Sequence, residues 1–176
     1  ILKADGTLGD KLYLVLLEPG GKFPQKGHLM LDNLVVRAGS THIMTKNLML
    51  DWFKSCVFTP NSPSKQLVLV DSWSSFKDHA SILATVPPGK TVTIRNIPES
   101  TTSFVQPLDI YFFHPFKDMV KRITSFVQSN DEDIDFPVHL RDNRLKMISL
   151  VYRIFKAPIF QPMLEYPWKK GGYIYS

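Results

Sequence analysis

A single cysteine, Cys56, stands in 176 residues, which excludes an internal disulfide framework and any cysteine-based zinc site. It suits a reducing compartment such as nucleus or cytosol, and Cys56 reads as a small core residue. No apolar run approaches the ~20 residues that cross a bilayer, and no signal-peptide pattern opens the chain. Internal repeats, low-complexity tracts and heptads are also lacking. The chain opens at Ile1 without a methionine, as a fragment or a processed piece is expected to do. What is present supports folding: hydrophobic residues are 44% and aromatics 12% of the sequence, enough for one domain over residues 1–176 with an ordinary core. Lys and Arg number 21 against 16 Asp and Glu, a formal +5 that favours a polyanionic partner.

The pattern of elements is mixed α/β. Residues 1–24 read as a hairpin turning at Asp5-Gly6, with an apolar strand at Lys11–Leu17 broken by Glu18-Pro19-Gly20-Gly21. Leu29, Leu31, Leu34 and Val36 alternate and predict a further extended piece. Thr45 is placed to cap a helix whose apolar positions Leu48, Met49, Trp52, Phe53 and Cys56 recur at three and four. Leu67–Val70 is a short apolar run, expected to be a strand buried on both faces, and Thr91–Ile94 is a second β-branched strand. The short helix expected between them makes a βαβ crossover, so part of the sheet should be parallel. Beyond Ile110 the chain is expected to be helical: an amphipathic helix to Gln128, an acidic connector at Asn130–Asp135, and a last helix over His139–Lys156. That helix buries Leu140, Leu145, Ile148, Val151, Tyr152 and Phe155, and Pro158, Pro162 and Pro167 stiffen a tail, so residues 139–176 are a helix and Pro-rich tail of the same domain.

Two carboxylates stand out by position. Asp71 follows the apolar strand and would lie at the carboxyl edge of a parallel sheet, where such sheets place their sites. Asp109 follows Pro107-Leu108 at the head of the aromatic helical run, 37 intervening residues on. A strand end and a helix start that deliver two hard oxygen ligands to one place suit a divalent metal with room left for phosphate oxygens. Asp71 and Asp109 are the leading metal-ligand and catalytic candidates. Asp5, by contrast, is explained by turn geometry before Gly6, and His42 by its loop position ahead of a helix cap.

The stretch S-T-T-S-F-V-Q-P-L-D at residues 100–109, followed by Phe116-Lys117, resembles the final catalytic segment of DDE transposases. The likeness is to the pogo and Fot branch of the Tc/mariner superfamily, which includes centromere protein B and Jerky-type domesticated proteins, and extends to nematode branches. Ala4-Asp5-Gly6-Thr7 looks like a turn between two strands of that catalytic core. Gly39 with Met44 and Trp52 looks like the helix before the second acid, Leu67–Asp71 like the strand carrying it, and Trp168–Gly171 is similar to the family's ending.

This resemblance implies an RNase H-like fold, a mixed five-stranded sheet flanked by helices. It implies phosphoryl transfer on DNA with three acids on two Mg²⁺ (or Mn²⁺) ions about 3.5–4 Å apart. Asp71 and Asp109 match the second and third acids. The first acid belongs to a strand ahead of the Ala-Asp-Gly turn, where this chain begins, so Asp5 does not fill the role and Asp10 is the other early aspartate. Either that strand lies upstream, or another segment replaces it, or catalysis has been abandoned for a DNA- or protein-binding scaffold. An unrelated α/β protein in which both aspartates are structural is the remaining reading. The resemblance further implies a nuclear protein whose partner is DNA, with a second copy or other subunits.

Lys77, Lys90, Arg95, Lys117, Lys121 and Arg122 are the candidates for contacts with the nucleic-acid backbone, against the alternative of a solvated face. His79, eight residues after Asp71, is a weaker candidate to line the site. Trp73 is read as core rather than as a stacking platform.

Overall fold

The structure, a computed structural model, describes residues 1–98, 108–130 and 135–174, with only the backbone described at Asp109 and Ile110. Residues 99–107, which hold most of the S-T-T-S-F-V-Q-P-L-D motif, and the acidic stretch 131–134 lie outside the described residues.

Apolar runs bounded by turn residues form the strands. β1 (Leu12–Leu17) pairs in parallel with β2 (Leu34–Gly39), Leu12 opposite Leu34 and Leu17 opposite Gly39. β3 (Lys65–Val70) pairs in parallel with β4 (Thr91–Asn96), Lys65 opposite Thr91 and Val70 opposite Asn96. A 3-10 turn at Ser74–Lys77 and the short helix α2 (His79–Leu83) link β3 to β4, which is the expected crossover. Among the described residues the strands make two separate parallel pairs rather than one five-stranded mixed sheet. The hairpin expected over residues 1–24 is also shorter: its antiparallel pairing is the Leu2–Leu8 bridge around Asp5-Gly6. The chain bends at Asp10, and β1 takes β2 as its partner instead.

β3 is buried on one face rather than two. Val70 and Ile94 turn into a core filled by α1 (Lys46–Trp52), the π-helical turn Phe53–Val57 that continues it, and α2, through Met49, Phe53 and Ile82. Leu67 on the other face is 64% exposed, because these helices stack on one side of the pair. The Thr45 hydroxyl caps α1 as expected, accepting from the Leu48 N–H at 3.3 Å.

The second core joins the C-terminal half to the first turn. A π-helical turn, Asp109–Phe113, runs into α3 (His114–Ser129), and α4 (Arg141–Phe155) buries Leu145, Val151, Tyr152 and Phe155 as its periodicity predicts. Leu140 is a correction: it precedes the helix and stays 48% exposed. Within the proline-rich tail, Gln161–Lys170 is a helix, α5. Pro162 falls in its first turn, where the missing N–H would have had no helical partner, and burial of Leu164 and Pro167 offsets the bond lost at Pro167. Gly6 lies beside α5 with φ 78°, where a Cβ would come 2.4 Å from the Gln161 carbonyl oxygen, so glycine is required there. Asn33 and Ser149, the buried polar pair, satisfy each other: Ser149 Oγ donates to Asn33 Oδ1 at 2.6 Å and Asn33 Nδ2 to the Ser149 carbonyl at 2.9 Å.

A charged network ties β1 and β2 to α1. Asp51 accepts from Tyr13 Oη at 2.7 Å, from Arg37 Nε at 2.8 Å and Nη2 at 3.2 Å, and from Ser55 Oγ at 3.3 Å. Burial works against its charge, but the bonds from Arg37 and Tyr13 outweigh it and hold the Asp51 carboxyl below the usual carboxylate range. A folded-state pKa depressed in this way adds stability that is present above the unfolded value near pH ~4 and is lost as pH falls through the folded one. The network is about one-third exposed at Asp51, so its contribution is screened. Asp51→Asn is expected to lower stability by about 1 kcal/mol at neutral pH and by much less in acid. Urea unfolding of both proteins at the two pH values measures this, and an equal loss at both would contradict an ionic origin.

Candidate functional site

The site is built on the carboxyl ends of β3 and β4. Asp71 is the first residue after β3, and its Oδ1 accepts the Trp73 N–H at 2.8 Å, which fixes the carboxylate against its own turn. No described group is bonded to Oδ2. Asn96 closes β4 beside Val70 and reaches across: its Nδ2 donates to the Asp71 carbonyl at 2.9 Å and to the Phe76 carbonyl at 3.3 Å. Its Oδ1 lies 2.6 Å from His79 Nε2, and since that oxygen only accepts, the histidine nitrogen carries the hydrogen. His79, the first residue of α2, thus reaches the Asp71 backbone through Asn96. Asn96 was not singled out in the sequence. Its signal was a polar side chain at the end of the strand parallel to the acid-bearing one.

Trp73 packs edge-on against Phe76, centroids 5.2 Å apart at 86°, at the border of the β3–β4 core. That is the core role expected of it. Asp109 begins the π-helical turn ahead of α3, so its backbone lies at a helix start as expected, while its carboxylate lies outside the described residues. Helical turns of this wide type recur at functional sites. The two early aspartates are engaged elsewhere. Asp5 accepts from the Thr7 N–H at 2.8 Å and its hydroxyl at 2.6 Å, and Asp10 lies 3.5 Å from Lys156 Nζ.

The basic candidates fall in three places. Lys77 ends the 3-10 turn after Asp71. Arg95 lies on the exposed face of β4, where it lines an open groove with Lys65, Gln66, Leu67 and Thr93. Lys117, Lys121 and Arg122 are exposed along α3, the first two one turn apart. Lys90 has another occupation: its ammonium donates to the carbonyls of Thr59 at 2.6 Å, Pro60 at 3.0 Å and Ser62 at 2.6 Å, holding the loop between α1 and β3.

A hard divalent ion fits what is described of this edge. Asp71 presents an anionic oxygen clear of described partners at a half-buried position, and oxygen is the ligand such ions take. Among the described residues no three His, Cys, Asp or Glu side chains are grouped to hold a metal by themselves.

The sequence matches the model of a family described as DDE superfamily endonuclease over residues 24–157, well over half of the chain and a span that includes both Asp71 and Asp109. The chain belongs to the DDE superfamily endonucleases. No curated protein and no solved structure matches it. Short parallel strands with five α-helices among the described residues are consistent with a DDE nuclease domain. Membership associates the chain with transposase-type nuclease chemistry on DNA, in a family that typically uses a divalent metal.

Proposed function

We propose that this chain carries a transposase-type catalytic core, of the pogo and Fot branch, in which Asp71 and Asp109 hold Mg²⁺ or Mn²⁺ against a DNA phosphate in the nucleus. The observation that carries the proposal is the place of Asp71: a partly buried carboxylate at the end of a parallel strand, clamped at both its side chain and its backbone, inside the family match. An ion at these residues would supply Lewis-acid activation of the phosphodiester and of the attacking hydroxyl. The protein's own part is orientation. The Trp73 amide turns Oδ1, Asn96 holds the Asp71 backbone level with β4, and His79 fixes the amide of Asn96. Exposed cations on α3, with Arg95, would add salt-dependent contacts to phosphates. An RNase H-like arrangement would bring the two parallel pairs into one sheet.

The engagement of Asp5 with Thr7 and of Asp10 beside Lys156 supports a second reading, a DNA- or protein-binding scaffold without turnover. Both readings are tested with labelled duplex DNA and Mn²⁺. The 176-residue chain is expected to nick it weakly or not at all, because two carboxylates hold one metal well but not two. Efficient nicking that disappears in Asp109→Ala would show the two-acid site to be sufficient and the proposal of incompleteness wrong. A polypeptide that also carries an apolar strand ending in Asp-Glu ahead of the Asp5-Gly6 turn is expected to cleave. Metal binding without cleavage in that longer form would favour the scaffold.

A further inference from the structure

We infer that Tyr111, Tyr166 and Lys170 form a platform for an unstacked nucleotide of single-stranded nucleic acid beside Asp109. Tyr111 lies on the π-helical turn that Asp109 opens, two residues on, so their Cα atoms are at most ~7 Å apart. Tyr166 comes from α5, and the two rings meet edge to face with centroids 5.5 Å apart at 70°. Tyr166 is 49% exposed even though it packs against another ring. Lys170, one turn along α5, places Nζ 5.9 Å from the Tyr166 centroid and 3.5 Å from Tyr111 Oη.

The charge at this place has no described carboxylate to neutralise it. Neighbouring Lys169 lies 3.1 Å from Glu165, whereas Lys170 has no carboxylate within ion-pair distance among the described residues. An exposed ring beside an ammonium that has no described carboxylate partner presents a surface for a flat π-system and a donor for an anion a few ångströms away. A nucleotide carries both on one unit: the base stacks on the ring and the phosphate meets the ammonium. An acidic peptide would satisfy Lys170 and leave the tyrosine faces in water. A duplex keeps its base faces covered by its own stacking, so the ring favours a strand that has been opened. The inference deepens the nuclease reading and rests on it for why a strand should arrive beside Asp109. The binding itself needs no metal.

The test is binding of the 176-residue chain to a labelled oligothymidylate of about 12 nucleotides, and to a duplex of equal length, by fluorescence anisotropy in EDTA. Tyr166→Ala is expected to weaken single-strand binding about tenfold and duplex binding less than about twofold. Lys170→Gln is expected to reduce the salt slope for the single strand by about 0.7. Tyr166→Trp should keep the affinity, with its indole emission quenched by the oligonucleotide. Equal losses on single strand and duplex, no loss in Tyr166→Ala, an unquenched Tyr166→Trp, or displacement of the oligonucleotide by polyglutamate at equal charge would each overturn the inference. If Tyr166→Ala loses its helical circular dichroism, the quenching result decides. Because EDTA is present throughout, failure here leaves the metal and cleavage results standing, and failure of those leaves this one standing.

Discussion

Asp71→Asn is expected to weaken Mn²⁺ binding to this chain by ~100-fold, the upper end of the ten- to hundredfold cost typical of losing an outer partner of a metal ligand. The substitution keeps the shape of the side chain and can keep the bond from the Trp73 amide at Oδ1, but it removes the negative charge a hard cation requires. Asn96→Ala supplies the comparison. It leaves the carboxylate in place and deletes the amide that holds the Asp71 and Phe76 carbonyls and meets His79, so about a tenfold loss is expected. Titration calorimetry with Mn²⁺ reads both. If Asp71→Asn binds the ion as the parent does, the carboxyl edge of β3 is not the metal site. If Asn96→Ala costs more than Asp71→Asn, the amide rather than the acid organises the ion.

The other large effect is structural. Phe53→Ala is expected to cost about 3–5 kcal/mol, the range for deleting a buried aromatic side chain. Phe53 has no exposed surface, stacks on Phe58 with centroids 5.2 Å apart, and meets Trp52 at 4.6 Å and Phe76 at 6.1 Å. It is also where α1 passes into the π-helical turn, so its loss leaves a void beneath β3 that backbone movement fills only in part. Phe76 and Val70 belong to the same cluster and flank the Asp71 turn, so metal affinity should fall along with stability. Urea unfolding measures the first and the same calorimetry the second. A loss below about 1 kcal/mol would mean that the cluster repacks without this ring.

The parts of this fold that could be read from sequence are those where one local signal admits one outcome. Thr45 before an apolar three-four repeat is a capped helix, and the β-branched run Thr91–Ile94 after Pro-Gly is a strand. The crossover between β3 and β4 followed from their spacing. Two features were not legible because the signal was ambiguous. Leu67–Val70 is apolar throughout, which suits a strand covered on both faces as well as one that leaves Leu67 in water, and the choice belongs to helices distant in sequence. Three prolines marked a stiff tail without revealing that it holds a helix, because a proline in a first turn costs a helix nothing, and α5 forms. At the site, Asp71 was legible as an acid after an apolar strand. Asn96 was not, because an asparagine at a strand end also reads as an ordinary turn residue, and its bond across to Asp71 exists only once β3 and β4 are paired.

The Asp5-Gly6 turn is held by residues made long after it. Tyr152 Oη donates to the Gly9 carbonyl at 2.8 Å and Gln161 Nε2 to the Asp5 carbonyl at 2.9 Å, bonds that span 143 and 156 positions of sequence. Contacts of such separation wait on loop closure, so on the ribosome residues 1–10 must stay undocked until α4 and α5 have emerged. During that interval Leu2 and Leu8, which end up in the same core as Tyr152, are bare to any chaperone or neighbouring chain that meets them.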